Sequence, residues 1–582
     1  MQNKKKRAKK PLTPEKKKQL AERKKELAFK KKIRLTFTDA GFDYLPSNGK
    51  TFHIGHRDVE LDYVFIYDNV ILICEDTCQQ NNKKEHVLKK SEACKAIKDN
   101  VNDFLQWLCS TFPEKQTLIR KYRPDRYLIY FLYIPQDELP LTDEDRARFD
   151  NLVFVEPETL SYFSRMSQCI QRSARYEIFR FLNIKDDQLG PSSSEGGKTT
   201  IKAPIIYPDD ITGLRNGVRV VSFMMSAEKL LRTAYVLRKD NWEESMYLYQ
   251  RLIEKEKVKS IRAFLATKGE AFYNNIIVAL PDSAKFENDA GMTVTIENIG
   301  PFQPCKLVIP DEMNSICVID GQHRIFAHYE ASGNDKYEER IAELRKQLHL
   351  LVTGLIFPQT MKEVERKQLQ SEIFLDINDN TKKVAANVLT HIEMIKDPFS
   401  DIGLARRVIE KLNKKQVFLN RFELSSLDEN KIKVASIIKF ALRYLVTIAP
   451  ADGKCSFFTL WNGNKEALLQ KDEAELDSYL EFCAKELSTY FSALRDARKE
   501  DWNDPNSKIL SVISINGFII ALNRLLKKSG IADFDTYRAA FGKLKTNFSR
   551  TDFPFTSSQY RKFSADILQE AFGFTDDDLS NT

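Results

Sequence analysis

The chain has 582 residues, 42% hydrophobic and 11% aromatic, which is enough apolar material for about three or four domains. No apolar run reaches the roughly 18 residues needed to cross a bilayer, and no signal-peptide pattern opens the chain. We therefore expect a cytoplasmic protein without a membrane partner. Nine scattered cysteines with no Cys-x-x-Cys pair argue against a structural zinc site and predict reduced thiols.

The net charge of +8 is concentrated at the N terminus. Residues 1–34 carry 16 Lys and Arg against three Glu, whereas the remainder carries 74 basic and 79 acidic residues. This basic arm, disordered or helical, could neutralise DNA phosphates by counterion release without reading base sequence. A tail that only keeps the protein soluble has the same composition, so both interpretations stand.

Strands and helices alternate over 35–185, which predicts an α/β domain. Strands are expected at 59–67 and 70–74, joined by Asp68-Asn69 as a tight hairpin turn. A helix at 85–110 and a further strand at 127–134 follow from their apolar periodicity.

Two acidic residues of this hairpin are candidate metal ligands. Asp62 lies on the first strand and Glu75 lies 13 positions later at the end of the second, so their carboxylates should meet at one edge of the sheet. Two such carboxylates can hold Mg²⁺, which activates water against a phosphodiester. Acidic residues at strand ends are also ordinary solvated positions.

This arrangement resembles the core of the PD-(D/E)xK nucleases. The resemblance implies a restriction-endonuclease-like α/β fold, with Asp62 and Glu75 as Mg²⁺ ligands and catalytic residues. That family places a lysine two residues after the second acid, but Thr77 occupies the position here. We expect Lys90, one helical turn after His86, to replace it as a third catalytic residue. Such a fold can also keep its DNA affinity after losing its chemistry.

A stretch rich in Gly, Pro and Ser at 189–198 indicates a flexible linker, which we place at 186–204. Further along, the pentapeptide Asp320-Gly321-Gln322-His323-Arg324 follows an apolar run at 316–319 and precedes a helix-like segment. A strand, a glycine turn and a helix in this order offer unpaired main-chain amides to an anion. Arg324 adds a fork suited to two phosphate oxygens, and Asp320 could hold that fork or bind a metal. An ordinary turn followed by a solvated arginine is the plainer interpretation.

The pentapeptide resembles the motif of the DGQHR-domain family, which includes the DndB proteins of bacterial DNA phosphorothioation systems. It also resembles the glycine-x-x-arginine box of ParB and sulfiredoxin, which holds nucleotide phosphates. Two further matches occur in the expected order, at 249–252 and at 374–382, and they predict a mixed DndB-like domain at 205–397. The resemblance implies that the pentapeptide and four other residues bind DNA phosphate or a nucleotide such as ATP: Gln250, Arg251, Asn378 and Lys382. Asn378 and Lys382 are expected to follow an apolar, strand-like run.

From 398 to 582 the pattern is mainly helical, and this region could mediate oligomerisation or simply cover the central sheet. Three functions are compatible with these motifs. The first is a DNA-binding endonuclease of a bacterial DNA-modification or anti-phage system, working with other proteins of that system. The second is a DndB-like transcriptional regulator without catalysis. The third is an NTPase that uses the DGQHR corner, because no Walker loop is present.

Overall fold

The computed structural model describes residues 14–54, 57–78, 83–139, 141–191, 197–202, 204–207, 213–214, 217–238, 242, 250, 252–296, 299, 304–379, 386–424, 428, 431–556 and 559–580. Contacts divide the chain into two units. The first comprises Met1–Val236, Asp240–Glu244 and Ile253–Thr360, and the second comprises Leu237–Lys239, Ser245–Leu252 and Met361–Thr582. The predicted mixture of helices and strands is confirmed, as is the helical C-terminal region.

The helices of the first unit connect and cover its sheets. They are α1 (Pro14–Asp39), α2 (Lys83–Asp99), α3 (Val101–Thr111), α4 (Gln116–Ile119), α5 (Asp143–Ala147), α6 (Pro157–Ile170), α7 (Arg175–Phe181), α8 (Ala227–Thr233), α9 (Lys255–Lys268), α10 (Gln322–Phe326) and α11 (Glu338–Gln347). The helix expected over 85–110 is thus two helices, α2 and α3. They separate at Asn100, a residue type that favours turns over helix interiors.

A five-stranded sheet with strand order β1-β4-β5-β6-β7 carries the predicted acidic pair. Its members are β1 (Asp43–Leu45), β4 (Tyr63–Tyr67), β5 (Val70–Thr77), β6 (Leu128–Pro135) and β7 (Val153–Phe154). Strands β4 and β5 are antiparallel around the Asp68-Asn69 turn, as predicted, whereas β5 and β6 are parallel. Asp68 has φ 53°, the left-handed conformation that Asp and Asn tolerate at such turns.

The continuous strand expected over 59–67 is interrupted at Leu61 and Asp62. Its first part is β3 (Arg57–Glu60), which pairs with β2 (Thr51–Ile54) in a separate ribbon, and its second part is β4 in the main sheet. Asp62 therefore lies in the bend between two sheets and not on a strand. Pairing with two different partners forces this bend, which a single apolar pattern does not reveal.

The two faces of the five-stranded sheet pack on different helices. On one face, Phe37 of α1 packs against Phe65 of β4 with ring centroids 5.0 Å apart. On the other face, Val87 and Ile97 of α2 belong to a buried core with Ile73 of β5. The second half of α1 is therefore part of the core, and only the part nearer the N terminus remains an exposed basic helix.

Two more sheets complete the first unit. The six-stranded sheet has the order β11-β16-β12-β17-β10-β9, and the four-stranded sheet has the order β14-β13-β15-β8. Their strands are β8 (Lys198–Lys202), β9 (Ile205–Ile206), β10 (Arg219–Ser226), β11 (Ala234–Tyr235), β12 (Ile276–Ala279), β13 (Lys285–Glu287), β14 (Thr293–Val294), β15 (Lys306–Pro310), β16 (Ile316–Asp320) and β17 (His349–Ile356). Strand β8 lies inside the range predicted as a linker, because its Thr-Thr-Ile core has strand propensity and pairs with β15.

The second unit is built almost entirely of helices around one apolar core. They are α12 (Glu363–Asp379), α13 (Ala386–Lys396), α14 (Asp401–Asn413), α15 (Val434–Ile437), α16 (Arg443–Val446), α17 (Phe457–Leu460), α18 (Lys465–Leu469), α19 (Glu473–Ala497), α20 (Lys499–Asn503), α21 (Val512–Ser529), α22 (Phe534–Phe541), α23 (Tyr560–Phe572) and α24 (Asp576–Ser580), with a short parallel pair β18 (Phe422–Glu423) and β19 (Ile432–Lys433). None of the described helices has both the length and the apolar content that a bilayer crossing demands.

A glycine allows two helices of the second unit to approach closely. A Cβ atom added at Gly517 of α21 would lie 2.3 Å from Cδ1 of the buried Phe563 of α23. We expect Gly517→Ala to lower the free energy of unfolding by about 1–3 kcal/mol, because overpacking outweighs the gain in helix propensity. Gly542→Ala is the matched control. Gly542 has a right-handed helical φ of −62°, and a Cβ atom added there would lie 3.5 Å from the Ala539 carbonyl oxygen, an ordinary contact distance. Urea denaturation followed by circular dichroism measures both, and equal stability of the two variants would contradict this packing.

Candidate active site at the end of the five-stranded sheet

Three of the predicted residues, Asp62, Glu75 and Lys90, lie together where β4 begins and β5 ends. Lys90 of α2 contacts the Glu75 Oε2 atom of β5 through its ammonium group, and it also donates to the Glu60 carbonyl oxygen at 3.3 Å. Asp62 is held in place because its Oδ2 atom accepts a hydrogen bond from the Asp76 amide at 3.0 Å. Helix α2 thus brings Lys90 into contact with Glu75, and Asp62 lies beside them.

Thr77 occupies the position at which the nuclease family has lysine, and its side chain makes a hydrogen bond within the fold. Glu75 and Thr77 share a strand face, and the Thr77 side chain hydrogen bonds with the Tyr133 hydroxyl of β6. Tyr133 in turn lies 2.8 Å from the Nδ1 atom of His86. Burial, followed by the nearby Lys90 ammonium, lowers the pKa of His86, so its imidazole is neutral at pH 7. This polar chain lines the site next to Glu75.

Asp76 is a third carboxylate that the sequence analysis did not single out. Neighbouring residues on a strand point to opposite faces, so Glu75 faces α2 and Asp76 faces α1. There the Lys30 ammonium of α1 and the Tyr63 hydroxyl interact with Asp76. Lys30 also pairs with Glu26 one turn earlier, with Nζ and Oε1 3.0 Å apart. The strand end therefore has the Lys90–Glu75 ion pair on one face, and on the other face Asp76 lies within the electrostatic influence of Lys30. The charge of Asp62 acts on both acids.

Burial and the Asp62 carboxylate raise the proton affinity of the two neighbouring acids. Burial raises the pKa of Glu75 to about 8, with Asp62 adding to the rise and Lys90 opposing it. Burial likewise raises the pKa of Asp76 to about 6, again with a contribution from Asp62. Burial alone would lower the pKa of Lys90, yet the Glu75 carboxylate keeps it above its ordinary value. A site with acids this close together favours any additional positive charge.

The donors present fit a hard divalent cation in part. Asp62 and Glu75 offer carboxylate oxygens, the ligand type that Mg²⁺ prefers while keeping several waters. The Oδ1 atom of Asp76 is buried and accepts no hydrogen bond from the described residues. However, within the described part of the chain no group of three or more His, Cys, Asp and Glu side chains is arranged to hold a metal. Asp62 and Glu75 would therefore hold such an ion together with water.

The raised pKa of Glu75 predicts how stability changes with pH. Between its ordinary value of 4.5 and about 8, the folded protein keeps a proton that the unfolded chain loses. The stability gained at low pH is therefore lost as the pH rises through this window, by at most about 1.4 kcal/mol per pH unit. In EDTA, we expect the melting temperature of the wild type to fall relative to that of Glu75→Gln as the pH rises. Calorimetry measures this difference, and parallel melting curves for the two proteins would contradict it.

The predicted strand, turn and helix at 320–324 are present as β16, Gly321 and α10. Gly321 has φ 98°, and its carbonyl oxygen accepts the amides of Arg324 and Ile325 at 2.9 and 3.2 Å. Arg324 Nη2 donates to Asp320 Oδ2 at 2.8 Å, with the arginine side chain only 18% exposed. His323 Nε2 accepts the Glu254 amide at 3.2 Å.

This corner is more closed than the sequence suggested. Gly321 and Gln322 are buried, and the two amides that bind the glycine carbonyl are not free for an anion. The helix that follows is five residues long, so its dipole is small. Asp320 binds the guanidinium group of Arg324, which is one of the two roles expected for it. A phosphate at this corner remains a prediction, and it would have to displace Asp320 from Arg324.

Two buried arginines fix the chain after the corner. Arg262 of α9, 1% exposed, donates to the carbonyl oxygens of Ala327 and Tyr329 at 3.2 and 2.8 Å and pairs with Glu338. Arg345 of α11 donates to the Tyr329 carbonyl oxygen at 2.9 Å and pairs with the same glutamate at 3.0 Å. These contacts satisfy carbonyl groups that the short α10 leaves open, and so they hold the corner in place.

The remaining predicted binding residues belong to the second unit. Gln250 is buried, and its amide donates to the Leu237 carbonyl oxygen at 2.9 Å. Asn378 lies near the end of α12, so the strand-like run expected before it is a helix; short apolar runs do not distinguish the two. Only the backbone of Asn378 is described, and Arg251 and Lys382 lie outside the described residues.

Comparisons with protein-family models, with curated proteins and with solved structures return no match for this chain. Its function must therefore be inferred from the geometry of the acidic site and from the sequence resemblances.

Proposed function

We propose that this protein binds DNA and cleaves it with the acidic site, as a Mg²⁺-dependent endonuclease of a bacterial DNA-modification or anti-phage system. The observation that carries the proposal is the contact between Lys90 and Glu75 beside Asp62. The lysine comes from the helix where the resemblance to PD-(D/E)xK nucleases requires a substitute for Thr77. The element order supports the same resemblance: α1 precedes the sheet strands β1, β4 and β5, and helices α2 to α4 then lead to β6, which is parallel to β5.

The residues around the site have distinct tasks in this proposal. Asp62 and Glu75 would hold the cation, which when bound supplies an acidified water and offsets the charge that develops on the phosphodiester. Lys90 contacts Glu75 in the free protein and would stabilise negative charge on the scissile phosphate. The exposed lysines of the N-terminal half of α1 would contact neighbouring phosphates.

A nicking assay tests the proposal. Supercoiled plasmid is incubated with Mg²⁺ or Mn²⁺ and with wild-type protein or Glu75→Gln, which keeps the shape of the side chain but not its charge. We expect the wild type to nick the plasmid and the variant to nick it at least about 100-fold more slowly. This is the usual cost of removing one group that stabilises charge in the transition state. Equal rates would exclude the acidic site as the source of activity.

Cation binding can be followed without any activity. Mg²⁺ should raise the melting temperature of the wild type at about pH 8 by more than that of Glu75→Gln, because it binds the ionised carboxylate of the folded state. An equal rise in both proteins would show that the cation binds elsewhere.

A second candidate is a non-enzymatic, DndB-like regulator of a DNA-modification operon. The contact between Lys90 and Glu75 favours this candidate, because the lysine takes the place that a cation would need at the carboxylate. The described residues also include no group of three side chains arranged to hold a metal. DNA binding without nicking in either metal would support this candidate. An NTPase at the DGQHR corner is the third, and ATP or CTP turnover unchanged by Arg324→Ala would remove it.

A further inference from the structure

Among the described residues, one face of the six-stranded sheet is exposed along β10 and β17, and aromatic, polar and basic side chains lie there. Alternate residues of β10 and β17 point outward there, with Met224 51% and Leu351 37% exposed. Two grooves of about 450 and 560 Å³ lie on this face, and they share Ser222 and Leu351. They therefore form one continuous surface, which we call the sheet platform.

Two tyrosines line the second groove of the sheet platform. Tyr273, just before β12, is 92% exposed, and Tyr207, just after β9, is 37% exposed. Hydrogen-bonding groups lie between them: Ser222, Asn274, Asn275 and Thr353, of which Asn275 donates to Thr353 at 2.9 Å. Aromatic rings beside small polar side chains on an open sheet are suited to stacked bases and their edges.

The charge of the sheet platform is complementary to a polyanion. Lys202, Lys229 and His349 line the first groove, and Lys229 also pairs with the buried Asp311 outside it. Among the described residues that line either groove there is no Asp or Glu. A phosphate backbone could therefore follow the first groove while bases stack in the second.

The sheet platform is also continuous with the DGQHR corner. Residues paired directly across strands place their side chains on the same face of a sheet. One such row crosses five strands, from Asp320 through Ile277, Thr353 and Ser222 to Ile205. The sequence motif therefore marks one edge of this surface, although the corner itself is largely closed.

We infer that the sheet platform binds single-stranded DNA, with bases stacked on Tyr207 and Tyr273 and phosphates near Lys202. Stacking on a side chain requires unpaired bases, so duplex DNA is a poorer ligand for this surface. The choice of DNA over RNA rests on the proposed function, whereas the stacking surface does not depend on it. The inference goes beyond the acidic site, which lies on a different sheet.

Fluorescence anisotropy tests the inference with a labelled oligothymidylate of about 12 nucleotides, a length within the usual site sizes. The measurement uses the full chain carrying Glu75→Gln, in EDTA, so that cleavage plays no part. We expect Tyr273→Ala and Tyr207→Ala each to weaken binding roughly tenfold, whereas Tyr273→Phe keeps its ring and its affinity. Lys202→Ala should weaken binding modestly and reduce its salt dependence by about one phosphate contact.

Tyr444→Ala is the matched control, because Tyr444 is 49% exposed but lies on α16 of the second unit. Unchanged binding in both alanine variants of the platform, or equal weakening in Tyr444→Ala, would overturn the inference. Tighter binding of oligouridylate, of a duplex of equal length or of an amphipathic peptide would also overturn it. Because nicking is measured separately, an inactive acidic site would leave this result untouched.

Discussion

Replacing Lys90 by alanine is expected to reduce plasmid nicking by about 100- to 1,000-fold, the usual cost of removing one group that stabilises transition-state charge. Lys90 contacts Glu75, whose side chain is 3% exposed, and no other lysine of the described residues pairs with that carboxylate. Without the ammonium, the pKa of Glu75 rises further above about 8, so a cation must displace a proton that the carboxyl holds more tightly than in the wild type. Charge stabilisation and metal affinity are therefore lost together.

Lys89→Ala is the matched control for this result. Lys89 precedes Lys90 on α2 and is exposed, so it has the same chemistry without the contact to Glu75. We expect its nicking rate to stay within a factor of about two to five of the wild type, the range of one surface charge. If Lys90→Ala and Lys89→Ala behave alike while circular dichroism shows both folded, Lys90 has no catalytic role.

Replacing Arg262 by alanine is expected to lower the free energy of unfolding of the first unit by about 3–5 kcal/mol. The change would leave Glu338 without one of its two arginine partners, and it would remove the two hydrogen bonds that Arg262 donates to carbonyl oxygens after α10. Arg262 also lies 4.0 Å from the ring centroid of Tyr329. Urea unfolding followed by tryptophan fluorescence measures the loss.

Lys259→Ala on the same helix provides the comparison. Its ammonium pairs with Glu256 at 3.3 Å, but both side chains are more than half exposed. Exposed pairs of this kind contribute about 0–1 kcal/mol. A loss in Arg262→Ala no larger than in Lys259→Ala would mean that the buried arginine does not hold the corner.

Local features of the fold could be predicted from sequence. The hairpin between β4 and β5 follows from two apolar runs around Asp68-Asn69, and the placement of Lys90 follows from helical spacing after His86. Both depend only on residues that are near one another in the chain. The strand, glycine turn and helix at 320–324 were predictable for the same reason.

Features that depend on distant partners could not be predicted in this way. The charge of Lys30 acts on Asp76 only because α1 packs against the sheet, and nothing in its lysine-rich sequence distinguishes Lys30 from its neighbours. The chain after the DGQHR corner is held by Arg262 and Arg345, which come from α9 and α11 and are far from the corner in sequence. Residues 374–378 form a helix because their surroundings decide between two conformations that a short apolar run allows equally.

Helix α1 sets a fixed distance between its exposed basic residues and the acidic site. It runs without interruption from exposed basic residues at Arg23 and Lys24 to Lys30 beside the acids. At 1.5 Å per residue the two ends of this segment are about 10 Å apart, which equals roughly three nucleotides along one DNA strand. In the proposed endonuclease, a phosphate bound by the outer residues would thus set the cleavage position about three nucleotides away, independent of base sequence.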